Sequence, residues 1–139
     1  MTEGDDWIGS VVSSIQSGPD WPSTAIFITY DDCGCFYDHV PPPQAGWGIR
    51  VPMVIVSPYA VPGATDSSPA TYSSMLAYPE HLFGLAPLAS TDANAYDYGG
   101  SFDYAQTPQA APVPMVRRGI SEAERDWIQA HPAGEDDPT

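Results

Sequence analysis

The chain is 139 residues long and 42% apolar, and its 18 acidic side chains outnumber four basic ones for a formal net charge of −14. Such acidity argues against nucleic acid or an anionic membrane surface as a partner, since both select basic patches. All four basic residues are arginines, which excludes a Walker lysine, a Schiff-base lysine and the kinase lysine.

From Asp6 to Ser17, the residues Trp7, Ile8, Val11, Val12 and Ile15 fall at helical spacing, and Gly18-Pro19 ends the pattern. Thr24 to Tyr30 (TAIFITY) is short, β-branched and aromatic, and apolar nearly throughout. It reads as a strand buried on both faces, as in a parallel sheet. Arg50 to Ser57 (RVPMVIVS) is a second such strand, with Pro52 near its start, where a missing N–H is tolerable. Between them runs a loop rich in Asp, Gly, Tyr and Pro. Tyr72 to Phe83 carries Met75, Leu76, Leu82 and Phe83 at helical spacing, and Pro79 is expected to bend or divide that helix.

Beyond Gly84 the chain turns loop-like as far as Tyr104, and Ala105 to Pro114 is a Pro/Ala/Gln stretch that reads as an extended tail. Ser121 and Glu124 match a capping box opening a last short helix with Trp127 and Ile128, after which Gly134 to Thr139 is expected to fray. Residues 1–104 thus read as the structured portion and 105–139 as a Pro-rich tail with a terminal helix. The class implied is α/β, with parallel buried strands flanked by helices. Two strands make a thin sheet, the sign of a larger one whose remainder lies elsewhere.

No window approaches ~18 consecutive apolar residues, the length of a membrane span. Met1 to Ser10 is acidic and unlike a secretory signal. Cys33 and Cys35 form a Cys-x-Cys pair that cannot complete a tetrahedral zinc site alone; a local disulfide and two free thiols both fit it.

Chemistry concentrates in the segment from Asp31 to Pro43 (DDCGCFYDHVPPP). Two adjacent carboxylates stand just past the end of an expected buried strand, where open α/β sheets place their ligand sites. They repel one another unless a cation or donors compensate, and a hard divalent cation is the simplest compensation. The plainer alternative is a turn in which Asp31 and Asp32 bond to their own backbone. His39 and Asp38 lie within reach of the same place, although a histidine before three prolines is often a packing or surface residue.

Five segments occur in order: Ser23 to Asp32, Phe36 to Pro43, Arg50 to Ala60, Glu80-His81 with Phe83-Gly84-Leu85, and Phe102-Asp103-Tyr104. Together they resemble the carboxy-terminal third of the bacterial phosphoesterase family of phospholipases C and acid phosphatases, in the alkaline-phosphatase-like superfamily. The resemblance implies that residues 1–104 are the late part of a phosphoesterase domain with a partial alkaline-phosphatase-like core. It also implies phosphoric-ester hydrolysis, in which a Ser or Thr hydroxyl attacks phosphorus with help from a metal ion.

By motif, Asp31 and Asp32 match the family's late metal ligands, for a divalent ion whose identity stays open among Ca, Mg, Mn and Zn. His39 is a candidate catalytic residue. Arg50 is a weaker candidate for holding substrate phosphate, because an arginine opening a strand is more often a structural ion-pair partner. Neither the family's early Glu-Asn pair nor its nucleophile motif has a match here. The isolated chain is therefore expected to be inactive, and to self-associate or take a partner supplying the missing half.

The substrate implied is a phosphate ester or phospholipid, and exported relatives imply an extracellular or envelope location. Two departures stand out. Cys33-Gly34-Cys35 occupies the place of Trp-Gly-Gly in many relatives, and Thr71-Tyr72-Ser73-Ser74 that of Asp-His-Thr-Ser. A rival reading is a non-catalytic remnant or interaction module, and a weaker one is a cation-binding protein supported by acidity alone.

Overall fold

The computed structural model describes residues 2–33, 37–109 and 119–131. The elements in chain order are α1 (Thr2–Gln16), β1 (Ile26–Thr29), β2 (Met53–Val56), α2 (Tyr72–Phe83), α3 (Ser90–Ala93) and α4 (Glu122–Ala130). They fall into two compact units, Met1–Pro19 with Ala111–Thr139, and Asp20–Ala110.

In the first unit, α1 begins four residues earlier than its apolar spacing suggests. Asp5 and Asp6 in its opening turns complement the positive end of the helix dipole. Ser10, Ser14 and Ser17 donate their hydroxyls to the carbonyls four residues back, at 2.8, 2.9 and 2.8 Å. The helix and the turn that ends it thereby carry these polar side chains without leaving them unpaired. Helix α4 opens as expected from the capping box: the Glu124 amide donates to the Ser121 hydroxyl at 3.2 Å, and the Glu124 carboxylate accepts from the Ser121 amide at 3.0 Å. The fraying expected over Gly134 to Thr139, and the tail expected over 110–114, lie outside the described residues.

The second unit is built on a two-stranded ribbon. Here the expectation of parallel strands is corrected: β1 and β2 pair antiparallel, with Ile26 opposite Val56, Phe27 opposite Ile55, Ile28 opposite Val54 and Thr29 opposite Met53. A parallel pair needs a crossover, usually a helix laid on the sheet. Among the described residues, no helix interrupts the chain between β1 and β2, so it returns as a loop and pairs in the opposite sense. The expectation of burial on both faces is also corrected, since every residue of β1 is only half-buried.

Opposed residues share a face. Phe27 and Ile55 lie on the packed one, where Phe27 meets the rings of Tyr78, Tyr98 and Phe102 at centroid distances of 5.1, 5.5 and 6.2 Å. Tyr78 stacks on Phe102 at 4.8 Å, and Phe102 lies parallel to Tyr104 at 5.7 Å. The uniform apolar run of β1 thus reflects one aromatic face and one aliphatic face.

Helix α2 runs through Pro79 without dividing. Its inner side is made of small residues, with Ser74 and Ala77 fully buried, and the Ser74 hydroxyl accepts from the Thr71 amide at 3.1 Å to cap the first turn. Gly84 closes the helix in the left-handed region at φ 63, where a side chain would be strained. The segment after Tyr98 returns to the end of β2. Phe102 bridges Ala60, and Gln106 donates its amide to the carbonyls of Pro58 and Ala60 at 3.0 and 3.1 Å. The buried Trp21 indole donates to the Gln109 carbonyl at 3.0 Å.

A buried acid pair joins α2 to α3. Asp92 accepts from the amides of Leu88 and Ala89 at 2.6 and 3.0 Å, and Glu80 shares a hydrogen bond with it. Burial first, and that shared bond second, push Glu80 above its ordinary value of 4.5. For Asp92 burial opposes ionisation, yet the amides of Ala89, Asp92 and Leu88 outweigh it and hold the group below 3.8. The two groups act in opposite directions. The contribution of Glu80 is complete below 4.5 and fades as pH rises through its folded value, whereas that of Asp92 is present above 3.8 and fades as pH falls. Glu80→Gln keeps a donor without the charge. It should leave Tm unchanged near about pH 4 and raise it by a few degrees near about pH 8. A Tm series followed by circular dichroism decides this, and an equal shift at both ends would exclude the acid pair as its cause.

Candidate functional site

Asp31 and Asp32 follow β1 with Tyr30 between, and both are exposed. The strand end from which they leave is held on two sides. The Thr29 hydroxyl donates to the Pro52 carbonyl at 2.7 Å, and the Tyr72 phenol, in the first turn of α2, donates to the Tyr30 carbonyl at 2.7 Å.

The loop from 39 to 49 is closed by Asp38 and Arg50, 12 positions apart in sequence. One Asp38 oxygen accepts from the Val40 amide at 3.0 Å and from Arg50 Nη2 at 2.8 Å, and the other from the Arg50 amide at 3.1 Å and Nε at 2.8 Å. The guanidinium of Arg50 first, and the Val40 amide next, hold the Asp38 carboxyl well below the usual carboxylate range. The Asp38 side chain is only 10% exposed and that of Arg50 64%, so the fork caps the acid from the solvent side. Such two-pronged pairing is the geometry for which arginine is suited and lysine is not.

His39 is adjacent to this clamp and exposed. Tyr37 is 91% exposed, so it packs into no core. Cys33 is exposed. Gly34, Cys35 and Phe36 lie outside the described residues, and the state of the thiol pair with them.

As oxygen donors, Asp31 and Asp32 suit a hard divalent cation, which takes about six or more ligands in all. They make a partial set. Among the described residues no group of three or more His, Cys, Asp or Glu side chains is gathered to hold a metal, so Asp31, Asp32 and His39 do not form one.

Helix α2 bears two further polar contacts. Glu80 belongs to the acid pair already described, and His81 Nδ1 lies 2.6 Å from Asp97, which also accepts from the Gly99 amide at 3.0 Å. A separate knot centres on Asp66, which accepts from the Tyr96 phenol, the Ser101 hydroxyl and the Ser68 amide at 2.6, 2.8 and 2.9 Å. Sequence reasoning passed over Tyr72. Its signal was the departure at Thr71-Tyr72-Ser73-Ser74, which the fold places beside the root of the acidic pair.

A model of the Phosphoesterase family matches residues 1–86. Non-specific phospholipase C6 of Arabidopsis thaliana is 30% identical over 138 residues, covering 78% of this chain and 26% of that protein. Non-hemolytic phospholipase C of Burkholderia pseudomallei is 32% identical over 107 residues, covering 55% and 15% respectively. Phospholipase C A of Mycobacterium tuberculosis is 27% identical over 120 residues, covering 65% and 23%. These relatives come from a plant as well as from bacteria, so the likeness is wider than a bacterial family. The chain spans about a quarter of the length of the plant relative it matches over 138 residues.

Proposed function

We propose, from the premise that this chain belongs to the phosphoesterase family, that it is the late, cation-binding segment of a phosphoric-ester hydrolase of phospholipase C type. One observation carries the reading. The family match over residues 1–86 takes in both strands and the whole Asp31–Arg50 loop, and in the fold that loop opens with paired carboxylates at a strand end. Asp31 and Asp32 would hold a divalent ion together with ligands from elsewhere. When bound, such an ion lowers the pKa of an attacking hydroxyl and offsets charge on phosphoryl oxygens. His39, exposed in the same loop, would give a proton to the leaving alkoxide oxygen as the ester P–O bond breaks. Arg50, committed to Asp38, would brace the loop rather than grip phosphate. The ribbon would form part of an alkaline-phosphatase-like sheet.

The test is a titration with Mn²⁺ followed by paramagnetic broadening of backbone amides. Broadening is expected to centre on residues 31–33 and to vanish in the Asp31→Asn, Asp32→Asn double variant. Broadening that survives the double variant would overturn the assignment.

A second reading, an interaction module needing another chain, is supported by α2. Tyr72, Leu76 and Phe83 recur at i, i+4 and i+11 on one stripe and are 45%, 46% and 71% exposed. Exposed apolar stripes of this kind favour association. The chain is expected to sediment as a dimer or larger, and Leu76→Glu with Phe83→Glu to return it to monomer. A monomer across the whole concentration series would show that the stripe does not drive self-association and would remove this support for the second reading.

A further inference from the structure

Thr29 and Tyr30 are the last two residues before the acidic pair, and a hydroxyl group secures each of them. Thr29 ties itself sideways to the foot of β2 through its 2.7 Å bond to the Pro52 carbonyl. Tyr30 is tied from α2, 42 residues away in sequence, by the Tyr72 phenol. The Tyr30 carbonyl belongs to the planar peptide that enters Asp31. Its orientation therefore sets the direction in which Asp31, and Asp32 after it, leave the strand.

We propose that Tyr72 is a positioning residue for the acidic pair: its phenol pins the peptide between Tyr30 and Asp31 and so holds both carboxylates ready for a divalent cation. The proposal rests on the reading of Asp31 and Asp32 as cation ligands. Like charges repel, so adjacent carboxylates whose root is not fixed are driven apart. Bringing them together then costs conformational freedom at the moment of binding, whereas a root fixed in advance removes part of that cost. With Tyr72 gone, the Thr29 hydroxyl would hold the strand end from one side alone. The ring of Tyr72 is nearly half exposed, so the hydroxyl is the part of this side chain with a partner to lose.

Tyr72→Phe deletes that oxygen and keeps the ring. In cation-free protein, amide hydrogen exchange at Asp31 and Asp32 should quicken in Tyr72→Phe while the amides of α2 keep their protection. In a Mn²⁺ titration, the same variant should bind about three- to tenfold more weakly at those amides, the effect of one net hydrogen bond. Unchanged exchange at Asp31 and Asp32 would overturn the proposal whatever the cation does. Loss of protection along α2 would overturn it as well, since the tyrosine would then be acting through helix stability. Quickened exchange in a protein whose Asp31 and Asp32 amides ignore Mn²⁺ would uphold the latch and sink the cation reading instead.

Discussion

The purified chain, incubated with a chromogenic phosphate ester and with Ca, Mg, Mn or Zn in turn, is expected to release no product above background. Phosphoric-ester hydrolysis by the proposed route needs an attacking hydroxyl, a cation, and donors for the phosphoryl oxygens. Two carboxylates supply a fraction of the ligands a hard cation takes, so such an ion would bind weakly here. No serine or threonine of the chain stands in the nucleophile's sequence context, and without a positioned attacking group the orientation term is lost. That term alone is worth roughly 7–11 kcal/mol, or about five to eight powers of ten in rate. Addition of a segment that carries the nucleophile should restore turnover, and Asp31→Asn or Asp32→Asn should then remove most of it. Turnover by the chain alone, surviving removal of contaminating phosphatases and vanishing in Asp32→Asn, would show a complete enzyme and refute the expectation.

Phe102→Ala is expected to collapse the second unit. Phe102 is 8% exposed and joins β1 to α2 and to the returning segment through Phe27, Tyr78 and Tyr104. It also anchors the bridge to Ala60. Truncating a buried phenylalanine costs about 3–5 kcal/mol, against a total stability of about 5–15 kcal/mol for an ordinary domain. Tm should therefore fall by more than about 12 °C, with loss of the near-ultraviolet signal of the stacked tyrosines. Phe102→Leu, which keeps much of the volume, should cost far less. A cooperative transition in Phe102→Ala within a few degrees of the parent would mean that the aromatic cluster is not what holds this unit.

Much of this protein is written locally. The serine and glutamate three residues apart, Ser121 and Glu124, announce the start of α4, and the geometry there follows from one turn of chain. The apolar spacing of α1 and the β-branched runs of β1 and β2 likewise specify their own backbone states. The position of Asp31 and Asp32 at a strand end follows from the same local pattern, as does membership of the family through motifs in a set order.

Strand direction is different, because it depends on where the intervening loop returns, and residues 31–50 carry no periodicity that would announce it. Apolar runs in antiparallel and parallel strands look alike when both faces are apolar, so Thr24 to Tyr30 suggested a covered sheet while the fold sets Phe27 among aromatic rings and leaves the aliphatic face half open. The polar pairings lay further out of reach. Asp38 with Arg50, Glu80 with Asp92 and Tyr72 with Tyr30 join positions 12, 12 and 42 residues apart. A hydrogen bond is satisfied at about 3 Å or not at all. Sequence therefore determined the longer elements and the chemical character of the loop, while only the tertiary fold decided which side chains meet, because that precision arises when distant segments are brought into contact.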